Sequence, residues 1–165
     1  MESKIYKNNI SKQFNYLLPA IFTLLFIAAL CLFVSKKFDI SATFFVISIL
    51  LLIDTIPTII IHFNYLYRTR GHIIQINEGV IKQIKENAIL EIPTTDVVSI
   101  SKIKSDRYTL GGRFSFANYF YYVFEFSNNK KMYITCLMTQ SESEIFSYEL
   151  NRLCIEKFEL YPFIR

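Results

Sequence analysis

The chain has 165 residues, of which 52% are hydrophobic and 19% are charged, and its formal net charge is +4. Its mean hydropathy of +0.30 is high for a soluble domain and modest for a polytopic transporter. The positive charge is spread thinly and forms no basic stripe of the kind that binds nucleic acid, so we expect neither DNA nor RNA as a partner. The three cysteines lack paired spacing, which predicts reduced thiols in a cytosolic domain.

Two apolar runs dominate the first 67 residues. They cover about 14–35 and about 40–66, and only Lys36-Lys37-Phe38-Asp39 separates them. A helix needs roughly 20 apolar residues to cross a hydrocarbon core of about 30 Å, and both runs reach that length. A connector this short permits only an antiparallel pair. The sequence therefore predicts an N-terminal tail and a two-helix transmembrane hairpin over 1–67, followed by a small domain over 68–165.

The orientation of this hairpin follows from the positive charges beside it. Three lysines precede the first run and Arg68 and Arg70 follow the second, whereas the connector contains two lysines. Positive residues concentrate on the cytoplasmic side of a membrane protein. We therefore expect both termini to lie in the cytoplasm.

Asp54 and Pro57 interrupt the second apolar run. An ionised carboxylate near the bilayer midplane costs at least roughly 2.5–3.5 kcal/mol, so it normally faces protein or water. Pro57 frees a backbone carbonyl in the same span. One interpretation is a polar point that joins hairpins in an oligomer or lines a water path; because no basic residue of the span can pair with Asp54, the partner would lie in another subunit. The other is a carboxyl that is protonated or locally bonded to Ser48, Thr55 or Thr58.

A cluster of polar and aromatic residues follows where the second run leaves the bilayer. Tyrosine and histidine at this depth are typical interfacial anchors, which is one interpretation of His62 and Tyr65. The alternative is that they couple the following domain to the helices. Arg68 and Arg70 fit a role in topology, or in the same coupling.

From His72 onward the apolar residues alternate, which predicts short strands in an antiparallel meander. In 119–126 the aromatic even positions are predicted to face the core, and the odd positions to face outward or toward a ligand. Ser141 is predicted to cap a helix that runs through Cys154. The predicted strands are 72–77, 80–85, 88–92, 96–103, 119–126 and 131–137, and the chain is expected to close with a last strand or an apolar strap over 158–165.

One irregular stretch, 104–118, is long for a hairpin loop, and such loops are often functional. Arg107 and Arg113 are suited to binding phosphate oxygens. Tyr108, Tyr119 and Tyr121 are suited to stacking on a base. The same stretch also fits a solvated surface loop, or a loop that contacts lipid headgroups.

The sequence contains little that supports catalysis. It has two histidines, His62 and His72, and none of the common metal, nucleophile or phosphate-loop motifs. We therefore expect no enzyme, no metal site and no cofactor.

Two family resemblances extend this interpretation. The strands and helix over Gly79 to Ile103 and Tyr119 to Leu153 resemble the pleckstrin-homology-like (PH-like) fold of bacterial membrane proteins. That resemblance implies a small antiparallel β-barrel or PH-like domain with one C-terminal helix, and it covers most of the part after residue 67.

The second resemblance is to the two-transmembrane-helix β-barrel effectors of bacterial antiphage systems such as CBASS. Three segments are similar: Asp54-Thr55-Ile56-Pro57, His62-Phe63-Asn64-Tyr65 and Tyr161-Pro162-Phe163-Ile164. In that family the barrel binds a cyclic oligonucleotide, the protomers assemble, and the inner membrane is disrupted. The resemblance implies a homo-oligomer in a bacterial inner membrane, with the lipid bilayer and a cyclic oligonucleotide as partners.

Three functions remain open at this point. The first is an effector whose β domain senses a nucleotide-like signal or a partner and controls assembly of the hairpins, which then breach the membrane. The second is a membrane-tethered PH-like scaffold that binds protein or lipid and has no lytic activity. The third is a small channel or transporter subunit, which two spans permit only through oligomerisation.

Overall fold

The residues that the structure describes form two long helices, one short helix and two four-stranded sheets. A computed structural model describes residues 4–34, 45, 47–49, 51–77, 79–86, 88–105, 114–139, 146 and 148–164. Its helices are α1 (Ile10–Val34), α2 (Ile56–Thr69), which a π-helical turn (Leu51–Thr55) precedes, and the short α3 (Tyr148–Arg152). The strands are β1 (Lys4–Lys7), β2 (His72–Asn77), β3 (Val80–Lys85), β4 (Ala88–Pro93), β5 (Val97–Ser105), β6 (Phe120–Phe126), β7 (Lys131–Thr135) and β8 (Cys154–Glu159).

The first sheet has the order β1-β2-β3-β4, and all its strand pairs are antiparallel. Its edge strand β1 precedes α1 and pairs with β2 after α2, with Tyr6 opposite Ile74. Sequence analysis missed β1, because four residues with two lysines have no clear alternation. The pairing crosses the predicted division between 1–67 and 68–165, which itself stays a prediction. The chain therefore leaves the first sheet after β1, at the start of α1, and returns to the same sheet at β2, after α2.

The second sheet has the order β7-β6-β5-β8. The pairs β5·β6 and β6·β7 are antiparallel, as the meander predicted, but β8 lies parallel to β5. A parallel pair needs a crossover, and the segment that contains α3 makes it. The expectation of a wholly antiparallel meander was therefore wrong for the last strand.

The C-terminal helix is shorter than predicted. Cys154, the predicted helix end, is the first residue of β8, and the predicted cap Ser141 lies outside the described residues. The backbone N–H of Ile100 in β5 donates to the carbonyl of Leu153 at 3.1 Å. The unpaired edge of β5 therefore hydrogen-bonds to the chain just after α3. This pairing favours a strand over further helix at that point.

Strand β6 is buried on both faces. The even positions face the core as predicted, and Phe146 lies between the sheets, with its ring 6.3 Å from Tyr6 and 5.0 Å from Tyr122. The odd positions Tyr121 and Val123 are also buried. These two residues do not face outward, which was one of the two predicted alternatives, because α2 and the C-terminal segment add a further layer there. The other alternative, that they face a ligand, stays a prediction.

Candidate functional site between the helices and the second sheet

Helix α2 and the turn before it bury a polar stripe against the rest of the protein. The members are buried and lie three or four positions apart, which is the spacing of one helical face. They are Asp54, Thr58, His62, Tyr65 and Thr69. Sequence analysis singled out three of them but assigned His62 and Tyr65 to the membrane interface or to coupling. In the structure the whole stripe contacts protein.

Asp54 anchors the start of this stripe. One of its carboxylate oxygens accepts the backbone N–H of Ser115 at 2.5 Å, and the other accepts the Ser115 hydroxyl at 2.8 Å and the Thr23 hydroxyl at 3.3 Å. The Thr58 hydroxyl donates to the Asp54 carbonyl at 2.7 Å. A carboxylate that is only 6% exposed therefore has its partners within the same chain. The predicted role of Asp54 in joining hairpins stays a prediction.

Pro57 explains the irregular turn beside Asp54. A proline inside a helix clashes with the carbonyl four residues earlier and provides no N–H. Here it lies in the first turn of α2, directly after the π-helical turn Leu51–Thr55. Such turns occur often at functional sites. The turn shifts the helical register and accompanies the inward position of the Asp54 side chain.

His62 links α2 to both the sheet and α1. Its Nδ1 atom lies 2.9 Å from the Tyr119 hydroxyl, which donates to the Tyr16 carbonyl at 3.3 Å. The tautomer of His62 decides which of the two groups donates in the contact between His62 Nδ1 and the Tyr119 hydroxyl. Burial raises the pKa of Tyr119, so the phenol stays neutral. Tyr119 is therefore a packed structural link in this structure.

The C-terminal segment 161–164, here called the strap, fills the groove between α2 and β6. The Tyr65 hydroxyl donates to the Pro162 carbonyl and the Tyr121 hydroxyl to the Phe163 carbonyl, both at 2.8 Å. The side chain of Asn64 makes two bonds to the backbone of Ile164, at 3.0 and 3.2 Å. These hydrogen bonds use backbone groups of the strap, and side-chain packing adds to them, because Ile164 is buried in the core.

The opposite face of α2 is apolar and exposed. Its stripe begins in the π-helical turn and again follows helical spacing: Ile53, Ile56, Ile60, Phe63 and Tyr67. Two helical segments, Ile10–Cys31 and Ile47–Thr69, are long and apolar enough to cross a membrane. Length and composition alone also fit a core helix of a soluble protein. In the most apolar 18-residue stretch of each segment, however, only 11% and 35% of the residues are buried.

The remaining predicted site residues fall into three groups. Arg68 and Arg70 are exposed at the end of α2 and its junction with β2. Arg107, Tyr108 and Arg113 lie outside the described residues, so the predicted ligand loop is seen only at its ends. Tyr119 and Tyr121 are both buried, so neither side chain lies on an open surface. Their proposed stacking on a base stays a prediction.

Sequence analysis missed the partners that complete this interface. Ser115, Asn64 and Tyr16 each bind a residue of another element, and nothing in their local pattern points to that contact. The signal that could have found the face is the spacing of Thr58 and Thr69 with the polar residues between them.

The described part of the chain offers no clear reactive centre. It contains no group of three His, Cys, Asp or Glu side chains that could hold a metal ion. Cys136 lies beside the site, and burial raises the pKa of its thiol to about 12. A thiol with so high a pKa is a poor nucleophile near neutral pH.

Comparison with known proteins gives one match. A family model described as a PH domain matches residues 5–145, a range that includes β1, both long helices and most of the second sheet. The chain matches no curated protein and no solved structure. The resemblance to antiphage effectors therefore gains no support from these comparisons.

Proposed function

The chain belongs to the PH-domain family, and we propose that it is a membrane-seated binding module. In this proposal α1 and α2 lie in the bilayer, and the two sheets present a surface for a protein or lipid partner. Both termini then lie on one side of the membrane. The positive charges beside the helices favour the cytoplasmic side.

The observation that carries this proposal is the reversed polarity of α2. A helix of a soluble protein buries an apolar stripe and exposes polar residues. Here the buried stripe is rich in polar residues, whereas Ile56, Ile60 and Phe63 on the opposite face are exposed. In a membrane, polar side chains face protein and apolar ones face lipid. The same pattern continues on α1, where Phe22, Phe26 and Phe33 are exposed.

The interface between α2 and the two sheets also fixes the orientation of the sheets relative to the helices. Helix α2 shares one buried cluster with both sheets, through Ile61 and Tyr65. A flexible tether would leave the domain free to rotate, but a shared core holds it in one orientation relative to the helices. The module therefore presents the same surface at a set distance from the bilayer, which is what a scaffold requires.

The test introduces a charge on the exposed face of α2. We expect Ile60→Lys to impair membrane insertion, because lysine near the centre of a spanning helix costs about 2.5–3.5 kcal/mol. The matched control is Ile89→Lys on β4, where the wild-type side chain is also exposed. The measurement is the fraction of full-length protein that stays in the membrane pellet after carbonate extraction.

The two variants separate the possible results. Retention of wild type and Ile89→Lys, with loss of Ile60→Lys from the pellet, supports the membrane seat. If wild type appears in the soluble fraction, or if Ile60→Lys is retained as well as wild type, the proposal fails. Circular dichroism of the extracted variants checks that both still contain folded sheets.

A second candidate function adds a response to a ligand. Ser115 lies within the predicted ligand loop 104–118 and bonds Asp54, so a ligand on that loop would act next to the start of α2. This contact favours the effector hypothesis, in which a nucleotide-like signal controls assembly of the helices and disrupts the membrane. Cyclic oligonucleotides added to the purified chain would test it by light scattering. No binding and no change in oligomer size would remove this candidate.

A further inference from the structure

The outer face of the first sheet carries a row of apolar side chains, here called the isoleucine row. Ile74 and Ile81 point into the core, so their neighbours along each strand point outward. The register pairs Ile73 of β2 with Ile84 of β3, and Ile84 with Ile89 of β4. Ile73 is 37% exposed, Ile89 is 65% exposed and Ile84 is partly exposed. The three side chains therefore form one accessible row across the strands.

Charged side chains border the isoleucine row at both edges of the sheet. On the edge strand β1, Tyr6 is buried, so Lys7 points outward next to Ile73. On the other edge strand, β4, Glu91 points outward and forms an ion pair with Lys82 at 2.7 Å. Among the described residues, no carboxylate forms an ion pair with Lys7. The face thus has a cation at one edge, a carboxylate at the other, and apolar side chains between them.

This pattern fits a protein surface better than a lipid surface. Glu91 lies two residues after Ile89, which is about 7 Å along an extended strand. A bilayer that covered the isoleucine row would also remove water from this carboxylate, which is costly. A second sheet at about 10 Å can instead interdigitate with the row and leave the charged edges at a polar rim.

A second copy of the same face supplies the complementary pattern. A two-fold axis parallel to the strands, between β2 and β3, places β2 of each copy over β3 of the other, and β1 over β4. Ile73 of one copy then lies opposite Ile84 of the other, because these residues are paired at the same level of the sheet. Lys7 at the edge of one copy approaches Glu91 at the edge of the other. The same patch is thus used twice, as a closed two-fold contact requires.

We propose that the chain forms a symmetric dimer through the outer face of the first sheet. The two isoleucine rows form its apolar centre, and Lys7 and Glu91 form contacts between the copies at the rim. Four strands about 4.8 Å apart and about six residues long give a footprint of roughly 400 Å² per copy. This area is at the low end for a specific interface, so the association is weak and reversible. The dimer uses neither α1 nor α2, so it does not rest on the proposed membrane seat.

The first test measures the association constant of the full-length protein by sedimentation equilibrium in density-matched detergent. The disrupting variant is Ile84→Asp at the centre of the face. Its matched control is Val98→Asp on β5, where the wild-type side chain is 61% exposed. We expect wild type and Val98→Asp to dimerise alike as the concentration rises. Ile84→Asp should associate at least about tenfold more weakly, because the dimer would bury its carboxylates without partners.

A pair of charge-reversal variants tests the identity of the partner without changing the apolar centre. Lys7→Glu and Glu91→Lys should each associate with themselves more weakly than wild type does, because each brings like charges together at both edges. An equal mixture of the two variants should recover the dimer, because every rim contact between the copies then joins opposite charges. A folding defect in either variant would not produce this recovery.

Four results would overturn the proposal. They are a wild-type chain that stays monomeric at every concentration, dimers that Ile84→Asp does not weaken, and a mixture of the charge variants that does not recover. The fourth concerns Ile89→Cys in a chain whose partly exposed cysteines, Cys31 and Cys154, are serine. Protection of this thiol from a maleimide by phosphatidylcholine vesicles, but not by raised protein concentration, would assign the face to lipid. Because carbonate extraction is a separate measurement, loss of the dimer leaves the membrane seat intact.

Discussion

The two sheets differ in how many of their faces are covered. The first sheet buries one face, and its other face leaves Ile5, Ile73 and Ile89 exposed to varying degrees. In the second sheet β6 is buried on both faces, because α2 and the strap pack against Tyr121. The helices are therefore a structural layer of the second sheet and not a separate anchor.

The largest expected loss of stability comes from removing a side chain on the face of β6 that α2 and the strap cover. Tyr121→Ala removes a buried ring and leaves the Phe163 carbonyl without its partner, so we expect a loss of about 3–5 kcal/mol in the free energy of unfolding. For a chain of this length that corresponds to a fall of roughly 10 °C in melting temperature. The control on the first sheet is Ile73→Ala, at a partly exposed position, with an expected loss of about 1 kcal/mol.

Differential scanning calorimetry of the detergent-purified variants measures both changes. A fall of similar size for the two variants would mean that the outer faces of the two sheets are covered to a similar degree. Tyr121→Phe refines the result, because it removes only the hydroxyl bond to the strap and should cost about 1 kcal/mol.

An intermediate effect is expected at Asp54, which fastens α2 beside the second sheet. Asp54→Ala leaves the buried N–H and hydroxyl of Ser115 without an acceptor, and we expect a loss of about 2–3 kcal/mol. Asp54→Asn keeps one acceptor oxygen and should lose less. The measurement is the alkylation rate of Cys136 in a background in which the two other cysteines are serine.

Cys136 suits this measurement because it is buried and its thiol pKa is about 12 in the folded chain. Opening of the helix layer exposes the thiol and lowers the pKa toward its ordinary value, so alkylation at pH 8 should accelerate in the order wild type, Asp54→Asn, Asp54→Ala. An unchanged rate in Asp54→Ala would show that the helix layer stays in place without this carboxylate.

The smallest effect compares an ion pair in each sheet. In the second sheet Glu156 contacts Lys104 at 2.9 Å and Lys102 at 3.2 Å, and the Lys102 side chain is only 10% exposed. In the first sheet the pair of Lys82 and Glu91 is more exposed at both ends. We expect Glu156→Gln to cost about 1 kcal/mol at pH 7, and Glu91→Gln a few tenths.

The cost at Glu156 should depend on pH. The hydrogen bond from Lys104 lowers the pKa of Glu156, with a smaller contribution from Lys102. A carboxyl whose pKa is lower in the folded state stabilises the fold above its ordinary pKa, and this stabilisation disappears as the pH falls through the folded value. Melting temperatures of wild type and Glu156→Gln should therefore converge between pH 5 and about pH 3. A constant difference over that range would contradict the assignment.

Local pattern was sufficient for most strands. The alternation after His72 predicted the bounds of β2 to β7 to within a few residues, because the alternating burial of a strand appears directly in the alternation of apolar and polar side chains. It failed where partners distant in sequence decide the outcome. Strand β1 has little alternation and is held by β2, and β8 follows α3 because β5 offers a free edge. Neither choice can be read from the residues of those strands alone.

The candidate site shows the same limit. Asp54 and Pro57 stand out in an apolar run, so sequence reasoning found them. Their partners lie far along the chain, as Ser115 does for Asp54. The apolar composition of α2 predicted exposure to lipid, but it did not predict that one side of the helix would pack on a sheet. The contact between Asn8 and Thr69 likewise joins residues from the beginning of α1 and the end of α2, which no local pattern brings together.

By itself, the sequence determined two apolar helices and a series of short strands, because these depend on composition and on spacing between neighbours; the PH-like plan came from the family resemblance and the family match. Only the tertiary structure decided that the helices form a layer of the second sheet, that β6 is buried on both faces, and that the last strand is parallel. Each of these depends on contacts between residues that are distant in the chain. Such contacts are selected by the burial and hydrogen bonding of the whole fold.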